Sequence, residues 1–315
     1  MKYYFAPMEG FTGYSYRRMH RKYFPGIDKY FTPFISATQH HSLSGKDKKE
    51  TSPVINSGAV LVPQILTKVS GQLVWAAEFM DGLGYDEINL NLGCPSATVV
   101  TKGKGSGMLK DPEQLTAFFA GYYAGLKDSK IKLSVKTRLG FENPEECIKL
   151  LEVYNNLELN ELIIHPRTQK DFYGGSVHMD FFRKMYEKSR NPVVYNGDLL
   201  SAADCRRIEL QFPDVSAVMI GRGLLINPAL VREARGGKKL EKEEYRTFLT
   251  DLFNDYSTEY SSRGNAMSHM KDLWKFSSLA FRENPKGIRA IQKSGSVSEY
   301  QMAVNAFFRE SELLP

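Results

Sequence analysis

Cysteine is scarce in this chain: three in 315 residues, at Cys94, Cys147 and Cys205. They are odd in number and far apart, and they form no CxxC pair. Neither a disulfide framework nor a zinc site is therefore expected. No apolar run is long enough to cross a bilayer, and the start, "MKYYFAPMEG", has no signal-peptide pattern. The expectation is a cytoplasmic protein without metal or membrane anchor. Acidic excess is also missing. Lys and Arg total 42 against 36 Asp and Glu, a net charge of +6, which leans weakly toward a polyanionic partner such as nucleic acid. No internal repeat or low-complexity segment is present.

What is there is a series of short β-branched or aromatic runs closed by turn residues. Eight occur in order: Tyr3–Met8, Lys29–Ser36, Leu61–Leu66, Glu87–Cys94, Lys132–Gly140, Glu161–Arg167, Pro192–Asp198 and Ala217–Gly223. Helical patterns separate most of them. Asp111 before Pro112 reads as a helix N-cap with proline at the first helical position, and Asn143 and Ser201 open helices similarly. This alternation predicts a closed (β/α)8 TIM barrel over 1–236. An open doubly wound sheet is the weaker reading, because a glycine-rich first turn is lacking.

After Gly236 the pattern becomes wholly helical, which predicts a small C-terminal helical bundle over 237–315. Its first helix, from 241, puts Tyr245, Phe248, Leu249, Leu252, Phe253, Tyr256 and Tyr260 on one face. That helix has six acidic residues against two basic ones. The next stretch reverses the sign, with Arg263, Lys271, Lys275, Arg282, Lys286, Arg289 and Lys293 against Asp272 and Glu283. Lys271 and Lys275 share a helix face, so this stretch is the expected phosphate-tracking surface.

Polar residues gather at the C-terminal ends of the runs: Gln64, Asn91, Lys136, His165, Asn196 and Arg222. In a barrel those ends meet at one mouth, where catalytic sites are built. Runs seven and eight end in "NGD" and "IGRG", turns suited to cradling a phosphate, with Arg222 to pair its oxygens. Lys136 suits the pyrimidine edge of a flavin, Gln64 can donate to and accept from its heteroatoms, and the backbone at Pro7 and Met8 can line its ring. Cys94 ends run four in "NLNLGCPS". A free thiol is mostly protonated at neutral pH, so Cys94 reads as an acid rather than a nucleophile. The loop beyond it, "TKGKGSG", reads as mobile and positive, able to bring Lys102 and Lys104 to phosphates. Cys147 and Cys205 lie in helical patterns and read as packing residues.

"APMEGFTGYSYR", "NLNLGCPS", "GSGMLKDP", "SVKTRLG", "IIHPRT", "NGD" and "VMIGRG" occur in the order seen in tRNA-dihydrouridine synthases, and the chain resembles that family from Tyr4 to about Pro228. The resemblance implies an FMN-holding barrel, reduced by NADPH, that gives a hydride to C6 of a uridine in tRNA while Cys94 protonates C5. It implies that Pro7, Met8, Glu9, Gln64, Lys136, His165, Asn196, Gly197, Asp198, Gly221 and Arg222 hold FMN. Asn91 and Arg167 would meet the uracil or its backbone. Lys102, Lys104, Lys271 and Lys275 would meet tRNA, and the enzyme would act as a monomer. Asn89 stands where the family often has an acidic residue, and Pro166 where it usually has glycine. The competing readings are a small-molecule FMN oxidoreductase of dihydropyrimidine or dihydroorotate type, and an RNA-binding protein whose barrel has lost catalysis.

Overall fold

A computed structural model describes residues 1–126 and 129–314. The chain divides into two compact units. One comprises Met1–Glu9, Asp28–Gly197 and Ile208–Met219; the other comprises Gly10–Ile27, Asp198–Arg207 and Ile220–Pro315. No helix of the described residues is long and apolar enough to cross a membrane.

The first unit is built on one parallel sheet of ten segments. Two expected strands are each cut in half by a proline. Strand two is Lys29–Phe31 and Ile35–Ser36, split around Pro33; strand three is Leu61–Val62 and Gln64–Leu66, split at Pro63. Proline has no N–H to give to a ladder. The halves still pair with each other, Tyr30 opposite Leu61 and Ile35 opposite Ile65. The ten segments are therefore eight strands in a closed ring. The others are Tyr3–Phe5, Glu87–Leu92, Lys132–Gly140, Leu162–Thr168, Val193–Tyr195 and Ala217–Ile220. At the cut the Gln64 N–H donates to Thr32 Oγ1 at 2.9 Å, so a side chain satisfies the amide that the broken ladder leaves over.

Alternate residues of the strands fill the ring. Tyr4, Ala6, Phe31, Val62, Ile163, Val194, Ala217 and Met219 form a buried cluster. Each large side chain there stabilises the fold by about 1.5–3 kcal/mol relative to exposure. At the N-terminal ends of the strands, Lys29 Nζ lies 2.8 Å from Glu87 and 2.9 Å from Glu161, and the Tyr4 hydroxyl donates to Glu161 at 2.5 Å. This charged plug closes the base of the ring and leaves the C-terminal ends for chemistry. Helix Pro112–Gly125 starts as its sequence announces, with Asp111 Oδ1 accepting from the N–H groups of Glu113 and Gln114.

The second unit is helical: Tyr14–Tyr23, Lys242–Glu259, Arg263–Ser277, Pro285–Lys293 and Val297–Glu310 are its main helices. The expected apolar face of Lys242–Glu259 is buried except at Tyr260, which caps the helix and is exposed, and Phe248 meets Tyr16, Tyr23 and Phe24 edge-on. Its acidic face is spent within the unit. Arg18 pairs with Asp255 at 2.6 Å, Lys22 with Asp251 at 3.0 Å, and the Tyr14 hydroxyl donates to Glu259 at 2.5 Å.

Candidate active site

The register of the ring sets the site in rows. Gln64, Asn89 and Ser134 stand side by side on strands three, four and five; one row on, Asn91 faces Lys136; on strands five and six, Arg138 faces His165. The buried amides of the first two rows form one chain of hydrogen bonds. Asn89 Nδ2 donates to Ser134 Oγ at 2.9 Å. Gln64 Nε2 donates to Asn89 Oδ1 at 2.8 Å, and Asn91 Nδ2 donates to Gln64 Oε1 at 2.8 Å. Each amide is thereby fixed in one orientation. Asn89, where the resemblance leads one to expect an acid, is a working link in this chain.

Cys94 follows strand four in a turn held from several sides. Asn91 Oδ1 accepts from the N–H of Gly93 at 3.1 Å and of Cys94 at 2.9 Å. Arg138 Nε donates to Gly93 O at 2.7 Å, and Ser106 donates to Cys94 O through both its N–H and its hydroxyl. The loop expected to be mobile is bound to this turn. Gly105 (φ +57°) lies so close that a Cβ there would sit 2.9 Å from Cys94 O and 2.8 Å from a Val99 methyl, and one on Gly107 would sit 3.0 Å from Val100 O. These glycines serve close approach, which corrects the expectation of mobility.

Burial raises the Cys94 pKa, and the nearby Arg138 and Lys136 charges only partly oppose it. The thiol stays protonated at neutral pH. Burial, reinforced by Arg138, lowers Lys136 to about 7. Among the described residues the Lys136 side chain has no hydrogen-bond and no carboxylate partner. A half-buried amine without a counter-charge suits an electron-rich ligand, which would hold it charged. The remaining donor and acceptor positions of Gln64 point to the same kind of group, so the residues fit the acceptor-rich edge of a flavin.

Other expected residues are placed as follows. Arg167 Nη1 lies 3.1 Å from His165 Nε2; arginine only donates, so that nitrogen accepts and the neutral ring carries its proton on Nδ1. Arg167 gives its other donors to the carbonyls of Gly174 and Gly175 and is 1% exposed. It clamps its own loop beside His165. Asn196 Nδ2 donates to Met219 O at 2.8 Å, and Gly197 packs on Tyr195, Val177 and Pro166. Pro7 and Met8 follow strand one, half-buried; Glu9 pairs with Lys46 at 2.8 Å, and its charge helps to raise the Cys94 pKa. In the second unit Arg222 pairs with Asp198 at 2.6 Å, next to Gly221. Lys271 donates to the Ser294 carbonyl and Lys275 pairs with Asp272 at 2.7 Å, so neither is the free cation expected.

Sequence reasoning missed Arg138, which is 1% exposed and touches the Cys94 turn, and Tyr173, whose ring centroid lies 5.4 Å from the Arg138 guanidinium. The signal for Arg138 was in the strand period, since residues 136 and 138 point to the same side. Cys147 and Cys205 are buried and unpaired, as expected of packing residues.

Solved structures with a similar fold include morphinone reductase and histamine dehydrogenase from Rhizobium sp. 4-9. The first matches at 12% identity and a TM-score of 0.54 over 76% of this chain and 87% of that one. The second matches at 14% and 0.58 over 75% and 45%. Among curated proteins, a probable tRNA-dihydrouridine synthase of Rickettsia conorii is 28% identical over 82% of this chain and 76% of its own length. A tRNA-dihydrouridine(16) synthase of Pseudomonas syringae pv. tomato is 28% identical over 75% of each. Residues 4–306 match the family described as dihydrouridine synthase (Dus), a span that takes in both the pinned thiol and the unpaired lysine. The chain belongs to the dihydrouridine synthase family.

Proposed function

We propose that this protein is a flavin-dependent tRNA-dihydrouridine synthase that converts a uridine of tRNA to 5,6-dihydrouridine at the expense of NADPH. The observation that carries the reading is a protonated, backbone-pinned Cys94 on the strand next to the unpartnered Lys136. FMN, when bound, supplies a hydride taken from NADPH.

The chain's own residues do the rest. Lys136 and Gln64 hold and orient the flavin edge, with His165 and Asn196 on neighbouring strands and the Pro7–Met8 backbone lining it. We keep Gly221 and Arg222 as the residues that take its phosphate, and Arg222→Ala is expected to weaken flavin retention. Cys94 Sγ gives its proton to C5 of the uracil as C6 receives the hydride. The thiolate left behind is stabilised by Lys136 and Arg138, whose charges lower the thiol pKa, and it recovers a proton from solvent. Asn91 fixes both the Cys94 turn and the Gln64 amide, so acid and cofactor contact share one support. Residues 237–315 act as the tRNA-binding part of a monomer.

A small-molecule oxidoreductase reading has less support, because the relatives that the chain matches are tRNA-dihydrouridine synthases. The test is to incubate the protein with FMN, NADPH and unmodified tRNA and to map uridines that gain two hydrogens by mass spectrometry. A flavin-loaded protein that oxidises NADPH but leaves every tRNA uridine unchanged would overturn the reading.

A further inference from the structure

Three lysines converge beside the Cys94 turn, and one of them lies outside every site considered above. Lys68 follows strand three; Lys102 and Lys104 lie on the loop bound to Cys94. A Cβ built on Gly103 would sit 3.5 Å from Lys68 Nζ, so the Lys68 ammonium lies against the backbone between the other two lysines. Gly103 (φ +67°) permits that approach. Burial lowers the Lys104 pKa, and the charges of Lys102 and Lys68 lower it further. Among the described residues none of the three ammonium groups has a hydrogen-bond or ion-pair partner, and Lys102 and Lys104 bond only through their backbone. Mutually repelling cations with no counter-charge mark a site for an anion.

Their position says which anion. Lys104 precedes Gly105, whose added Cβ would lie 3.2 Å from Cys94 Cβ, and Ser106 is bonded to Cys94 O. The loop that carries Lys102 and Lys104 is therefore fixed against the thiol turn. We propose that Lys68, Lys102 and Lys104 form a clamp for the RNA phosphodiester next to the uridine that Cys94 protonates. The inference rests on the proposed function for the identity of the RNA. The clamp sets the depth to which that nucleotide enters, because base and phosphate are held by two parts of one rigid turn.

The test compares wild type, Lys68→Gln/Lys104→Gln and Lys68→Arg/Lys104→Arg, each loaded with FMN, for affinity to an unmodified tRNA transcript at several salt concentrations. The glutamine pair is expected to bind more weakly and to show a slope of log affinity against log salt that is shallower by about 0.7–1, one phosphate's worth. The arginine pair is expected to restore both, since charge is what the site supplies. An unchanged salt slope in the glutamine pair, or no rescue by arginine, overturns the clamp. A raised KM for NADPH with unaltered tRNA affinity also overturns it, by assigning the lysines to the dinucleotide's phosphate. Dihydrouridine formation by the wild type is scored separately. If it occurs while the glutamine pair matches wild type, the clamp alone fails; if the wild type binds tRNA but forms none, the enzymatic reading fails.

Discussion

Asn91 Nδ2 donates to Gln64 Oε1 at 2.8 Å, and the Asn91 carbonyl oxygen on the same side chain accepts the Cys94 N–H. One amide thus sets both Gln64 on strand three and Cys94, the proposed acid, after strand four. Asn91→Asp keeps the acceptor for Cys94 but loses the donor, and it sets an oxygen against Gln64 Oε1. The variant is expected to fold, to lose flavin affinity by about 1–3 kcal/mol, and to lose dihydrouridine formation with it. Equilibrium titration with FMN checks this; wild-type affinity would remove Gln64 from the cofactor site.

Cys94→Ala separates the two halves of the reaction. Flavin content and NADPH oxidation are expected to persist, while reduction of uridine in tRNA slows by about 10²–10⁴. Single-turnover kinetics of reduced protein with tRNA gives the rate. Wild-type turnover by the variant would take the acid role away from Cys94.

Lys136 makes flavin affinity depend on pH. Its folded pKa is lowered from 10.5 to about 7, first by burial and then by Arg138. Without cofactor, the folded state binds fewer protons than the unfolded one between about pH 7 and 10.5, so this group's contribution to stability rises with pH across that window. An electron-rich ligand favours the charged form and raises the pKa again. Flavin binding should take up protons above about pH 7, and affinity should fall as pH climbs beyond it, by at most tenfold per unit. Fluorescence titration of FMN from about pH 6 to about pH 9 reads the slope, and Lys136→Met should abolish it.

In the second unit the free cations lie elsewhere than on Lys271 and Lys275. Lys286, Arg289 and Lys293 are exposed, three and four residues apart on helix Pro285–Lys293, and none has a partner among the described residues. Lys286→Glu/Arg289→Glu is expected to weaken tRNA binding and flatten its salt dependence. Lys271→Glu/Lys275→Glu should do less, because those side chains are already engaged. Equal effects of the two pairs in a filter-binding assay would refute this ranking.

Gly105→Ala tests the pinned turn. Its Cβ would fall 2.8 Å from a Val99 methyl and 2.9 Å from Cys94 O, on backbone with φ +57°. A loss of about 1–3 kcal/mol in denaturant stability is expected, with slower protonation as Cys94 shifts. An alanine variant as stable and active as wild type would show that the turn yields.

The strand ends were legible because period-two runs stop at turn residues, and Asp111 with Pro112 announced a helix by local chemistry alone. The amide chain was not legible. It depends on Gln64, Asn89 and Ser134 falling in register across three strands, and no single strand encodes that. The partners of the acidic helix Lys242–Glu259 were not legible either, because Arg18 and Lys22 lie more than two hundred residues earlier. The glycines at 105 and 107 were misread for a related reason. A glycine that admits motion and one that admits contact look identical until the neighbouring backbone is in place.

The raised pKa of Cys94 and its solitude also fix how the protein meets oxidants. Peroxides attack thiolates, so a thiol kept protonated is oxidised slowly. Once a sulfenic acid forms there, nothing in the chain can resolve it, because Cys147 and Cys205 are buried in helices of their own. Repair must come from an outside thiol small enough to reach the turn, and a second oxidation is permanent. The arrangement that keeps the acid in place thus makes it a slow, one-way casualty of oxidative stress, and the flavin-reducing half of the enzyme outlives the half that modifies RNA.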